Sequence, residues 1–222
     1  MSRIAIPFLL LITLSTGQGT DPGRVTGHVK LKPTKSAAMP SPTYPGRTVN
    51  LAAPPTIPEI KNVVVYIKDA PVHGALPTKT AEMRQTHEMF VPHTLAITRG
   101  SRVEFPNDDP FYHNVFSLSS AANFNLGRYA NGKSNHWDFT KSGIVKVYCN
   151  IHSHMSATIL VFDHPNFAIP EMDGSFDLPN LAPGDYTVVG WHERVGERST
   201  RVHVDAGKAT DVLLSLPVED VR

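Results

Sequence analysis

Turn-forming residues interrupt this sequence so often that no apolar repeat of helical period runs beyond about two turns. The 222 residues include 19 prolines and 15 glycines, set between short runs of Val, Ile, Thr and Phe. Proline removes a backbone donor and fixes φ, so punctuation of this kind ends helices and delimits strands. The expectation is an all-β chain, long enough for one large domain or two small ones.

Charge narrows the partners. Lys and Arg number 21 against 20 Asp and Glu, a formal charge of +1. Such a balance gives no electrostatic reason to expect nucleic acid or a charged membrane surface. The opening "MSRIAIPFLLLITLSTGQG", residues 1–19, reads as a secretory signal. Arg3 supplies the positive start, Ile4–Leu14 the apolar run, and Ser15, Gly17 and Gly19 a small-residue cleavage site. The apolar run falls short of the roughly 20 residues that span a bilayer. A soluble periplasmic protein, not membrane-spanning, is the expectation.

Beyond the signal, "GRVTGHVKL" and "NVVVYIK" are strand patterns within residues 24–72, separated by a proline-rich loop over 36–58. Strand signals then crowd together across 78–164: "TLAITRGSRVEF" around a Gly100 turn, "HNVFSL", "SNHWDFTKSGIVKVYC" and "SATILVF". Residues 119–135 read as a long connecting loop. A last unit, 166–217, has Asp-Gly and Pro-Gly turns between alternating strands. It is small for a core of its own, so it is expected to borrow the N-terminal strands.

The sole cysteine, Cys149, lies in "IVKVYCNIHSHMSATILVF". Strand side chains alternate, so Val145, Val147 and Cys149 share one face. Past the loop Met155, Ala157, Ile159 and Val161 share a face as well. The reversal between them puts His152 at the loop tip, so thiolate, imidazole and thioether converge. Those donors plus a second histidine make a blue-copper electron-transfer set. "DDPFYHNVFSL" offers His113 at a strand start. A thiol bound and buried in this way escapes the oxidation that would claim a free one. The alternative is an inert buried cysteine beside a surface histidine. His87, His93 and His136 lack ligand spacing and read as surface or satisfied side chains.

With these residues in view, Glu82–Phe162 resembles the cupredoxins, with a Cys-x-x-His-x-x-Met loop similar to that of amicyanin. "FVPHTLAITRGSRVEFPNDDPFYHNVFSL" resembles the upstream part of such proteins, and the likeness extends to plastocyanin-like proteins of the methylamine-utilisation type. The resemblance implies a Greek-key β-sandwich holding one type 1 copper on His113, Cys149, His152 and Met155. It implies that Asn114 pins the two ligand loops together. Ser153 and His154 depart from the pattern, which usually has proline and an apolar residue there.

"EMDGSFDLPNLAPGDYTVVGWHE" resembles carboxypeptidase-regulatory-like, prealbumin-like sandwiches, grouped with carbohydrate-binding-like folds. The strands that open that family's pattern precede the copper block and the later ones follow it. The copper domain is therefore expected to be inserted into the sandwich, tandem packing being the alternative. Trp191 and His192 are the candidates for weak sugar binding. The implied function is one-electron transfer without catalysis, with a cytochrome or dehydrogenase docking at the exposed His152 edge. Copper enzymes need further histidine clusters, and the one His-x-His here, 152–154, is already committed. Copper delivery, or a carbohydrate- or surface-binding module with an accessory copper site, are the alternatives.

Overall fold

The computed structural model describes residues 21–32, 58–71 and 74–218. The signal reading and nearly all of the proline-rich loop lie outside these residues. Among the described residues the chain is strands and turns, with a single 3-10 turn at Glu59–Asn62.

Two strands come first, β1 (Gly23–Leu31) and β2 (Val63–Ile67). A block of ten follows: β3 (Thr80–Glu82), β4 (Arg84–Thr86), β5 (Met89–Val91), β6 (Thr94–Thr98), β7 (Arg102–Pro106), β8 (His113–Ser119), β9 (Ala122–Tyr129), β10 (Ser134–Asp138), β11 (Gly143–Tyr148) and β12 (Ser156–Phe162). The chain ends with β13 (Phe167–Ala168), β14 (Ser175–Leu181), β15 (Gly184–His192), β16 (Gly196–Val204) and β17 (Ala209–Leu216).

Strands from either side of the block pair directly. One sheet runs β14-β1-β17 and its mate β13-β2-β15-β16. β1 lies parallel to β17 so closely that a Cβ on Gly27 would sit 1.9 Å from the Val212 carbonyl oxygen. Only glycine permits that approach. Val25, Val65, Leu178, Val188 and Leu214 fill the space between the sheets. The middle block forms its own two sheets, β10-β7-β3 and β6-β12-β11-β8-β9, with β4–β5 as a separate hairpin. Non-consecutive neighbours and a parallel β6–β12 pair give it Greek-key connectivity. The chain is thus all-β, one sandwich inserted into another.

Alternation explains most elements. In β11 Val145 and Val147 are buried while Ile144 and Tyr148 face out. β12 is buried on both faces because each has a partner. Ala157, Ile159 and Val161 enter the inner core, whereas Leu160 packs with Val64, Ala96 and Trp191 against the flanking sandwich. Burying such a leucine stabilises by about 2 kcal/mol.

Trp191 and His192 are accordingly covered, not displayed. Residues 119–135 also differ from the expected loop. They hold β9, which pairs with β8 and turns Ala122 and Phe124 inward. Its asparagines and glycine hide an edge strand whose other face meets solvent.

Candidate metal centre

Three strand ends meet at one pole of the inserted sandwich. β8 opens with His113, β11 runs out into Cys149, and β12 begins just after Met155. The intervening loop is closed by its own backbone: Cys149 N–H donates to the Met155 carbonyl at 3.2 Å, and Met155 N–H to the His152 carbonyl at 3.0 Å. Reversal in so few residues leaves His152 directed across the loop toward β8.

The result is a triangle of ligand atoms. His113 Nδ1 and His152 Nδ1 stand 3.1 Å apart, and Cys149 Sγ lies 3.8 and 4.0 Å from them. The three residues are 0, 4 and 7 % exposed. An ion at ordinary metal–ligand distances of about 2.0–2.3 Å would fit within this triangle. Met155 is buried in the same core cluster as Cys149.

Electrostatics favours a cation at this point. Burial alone would raise the Cys149 thiol, yet His113 and the main-chain N–H groups of Asn114, His152 and Ile151 lower it to about 7. Burial would lower His113, yet the Cys149 sulfur and Asp109 outweigh it and raise the imidazole. Both shifts favour the charged forms, a thiolate beside an imidazolium. A metal ion answers the same field once the imidazole proton leaves.

Around the triangle are groups the sequence did not disclose. Asp109 Oδ2 lies 2.8 Å from His113 Nε2, which leaves Nδ1 as the free lone pair. Burial pushes Asp109 up, but the Glu88 N–H, His113 and the His87 N–H hold it below the ordinary carboxylate range. Phe111 sets its ring 5.3 and 5.5 Å from the two imidazoles. The β4–β5 hairpin bends over the loop and brings Glu88 to 3.9 Å from His152 Nε2 and 3.3 Å from His154 Nε2.

Two expectations change here. The edge of His152 is not open, since it is 7 % exposed with Phe111, Glu88 and His154 beside it; the exposed apolar residues next to the ligands in sequence are Tyr112 and Ile151, 60 and 38 % exposed. The Asn114 side chain does not reach the cysteine loop. It donates to Asn125 Oδ1 and the Gly127 carbonyl on β9, and its main-chain N–H approaches the sulfur. A side chain on β8 finds its adjacent hairpin partner first. His93 is satisfied by Glu193 and His87 by Thr86, while His136 lies exposed beside Glu104. Among the described residues no second cluster with metal-ligand geometry appears.

No family model matches the chain, and neither does any curated protein. Solved structures do. The copper-containing nitrite reductase NirK of Thermus scotoductus SA-01 is 25% identical with a TM-score of 0.36, over 43% of this chain and 24% of that one. A novel purple cupredoxin of Nitrosopumilus maritimus is 23% identical with a TM-score of 0.34, over 37% of this chain and 99% of its own. An oxidised amicyanin mutant is 17% identical with a TM-score of 0.36, over 37% of this chain and 82% of its own. This chain spans about a quarter of the nitrite reductase and under half of itself in each comparison.

Proposed function

We propose that this chain is a type 1 copper protein that carries single electrons in the periplasm and catalyses no reaction of its own. His113 and His152 through Nδ1, Cys149 through Sγ and Met155 through its thioether would hold the copper ion. The observation that supports this most is the buried convergence of three soft or borderline donors on one point. Copper there supplies a reversible one-electron couple.

The protein's own part is to keep the ligands still. His113 and Cys149 continue paired strands, and the backbone bonds of Cys149 and Met155 close the loop on itself. Small rearrangement between oxidation states follows from that frame, and fast exchange follows from small rearrangement. The surrounding apolar groups exclude water and so limit side reactions of the thiolate. Tyr112 and Ile151 supply the rim on which a redox partner, a cytochrome or a dehydrogenase, docks beside His152. Transient redox contacts of this kind are small.

The test is a visible spectrum and a redox titration of the copper-loaded protein. An intense cysteine-to-Cu(II) charge-transfer band with reversible one-electron behaviour is expected. A colourless protein that surrenders copper to a chelator within seconds would instead mark a delivery function and overturn the carrier.

A further inference from the structure

We infer that Asp109 is a positioning residue for His113, holding the ring from its far side and strengthening its inward nitrogen as a donor. The inference rests on the copper reading above and adds a part that neither spacing nor ligand chemistry supplied.

Asp109 is almost wholly buried, and its carboxylate has three N–H partners. His87 N–H donates to Oδ1 at 2.6 Å, Glu88 N–H to Oδ2 at 2.9 Å, and His113 Nε2 lies 2.8 Å from Oδ2. Its own segment is pinned too, since Asp109 N–H donates to Asn107 Oδ1 and Asn131 donates to the Asp109 carbonyl. The carboxylate therefore cannot swing away from the imidazole without breaking several other bonds.

The hairpin shows how firmly it is held. His87 and Glu88 both have φ of 54°, at the two central positions of a tight turn. Non-glycine residues there cost about 1 kcal/mol or more each and persist only where the surroundings fix them. The Asp109 carboxylate, accepting both N–H groups, does the fixing. One buried charge thus joins the β4–β5 turn to a ligand on β8.

Two consequences follow for the bound metal. An acceptor at Nε2 locks the tautomer and the ring angle, so Nδ1 always faces inward. A full negative charge behind the ring makes the imidazole a stronger donor and favours Cu(II) over Cu(I).

The experiment compares Asp109→Asn with Asp108→Asn in the full copper-loaded chain. Asp108 is the neighbouring carboxylate, exposed and paired with Arg84, and serves as a control for charge alone. Asp109→Asn is expected to shift the ratio of Cu(II) to Cu(I) affinity about tenfold toward the reduced ion. Asp108→Asn should shift it less than about twofold, as exposed charges are screened. Equal shifts, or none for Asp109→Asn, overturn the inference. If Asp109→Asn fails to fold, nitrogen-15 NMR of the wild-type metal-free protein decides instead. A His113 Nε2-bound proton protected from exchange supports the contact, and an Nε2 that carries no proton or a freely exchanging one overturns it. A wild type that develops no charge-transfer band overturns the copper reading itself, and the inference with it.

Discussion

The carboxylate–histidine contacts at the junction of the sandwiches and at the pole of the inserted one have different outcomes. At the junction of the sandwiches Glu193 bridges His93, Lys146 and Thr158 at 2.8, 2.7 and 3.0 Å. Beside it His192 Nε2 faces Glu59 at 2.7 Å while its Nδ1 accepts from the Arg194 N–H. The cleft there, about 390 Å³, is lined by groups already matched to one another. At the pole of the inserted sandwich the carboxylates stand on the outward sides of the rings, Asp109 at His113 Nε2 and Glu88 near His152 Nε2. The inward nitrogens of His113 and His152 face each other and a sulfur, and no carboxylate is among them. A cluster whose groups satisfy each other holds a fold together. One whose lone pairs converge without enough donors is built for something that arrives later.

Exchanging a member of each cluster separates these roles. Cys149→Ser should abolish the charge-transfer band completely while moving metal-free stability by no more than about 1 kcal/mol. Absorption and a denaturation curve on the same sample check both halves. A variant that kept its colour would erase the distinction.

The junction should answer the other way. Glu193→Gln is expected to cost about 2 kcal/mol of stability and leave the copper spectrum alone. The His93 bond lowers the Glu193 carboxyl most, with Lys146 adding and burial opposing. A folded-state pKa below the unfolded value means stability that is fully present above about pH 4.5 and lost as pH falls through the lowered pKa. Wild type and variant should therefore converge only in strong acid. Urea titrations from pH 7 downward test this, and a gap that closed on the alkaline side would reverse the sign.

The smallest effect belongs to the uncovered half of the same sheet. Ile144 on β11 is 48 % exposed, whereas Leu160 on neighbouring β12 lies under the flanking sandwich. Ile144→Thr should change stability by less than about 0.5 kcal/mol, measured by thermal melting. A larger loss would mean that this face is covered too.

How much of this was legible beforehand depends on the range of the interaction. The inward turn of Cys149 and Met155 followed from a period of two along β11 and β12, a local property of the chain. His113 was legible because it opens a strand of clear pattern. Asp109 was not, since "NDDP" reads as a turn and its partners His87 and Glu88 sit on a hairpin too short to announce itself. A carboxylate four residues before a candidate ligand was the available clue. The covered edge of His152 depends on how that hairpin docks, which is decided by tertiary packing. What Trp191 packs against required the junction itself.

The pairing of β1 with β17 sets an order of events. The inserted block finds its partners within its own stretch of chain, so it closes short loops and forms early. The outer sandwich must wait, because its first strand has its parallel neighbour only when the last one is made. Until then one edge of β1, opposite its pairing with β14, stays open in the emerging chain, and the inserted sandwich is the body on which the remainder assembles.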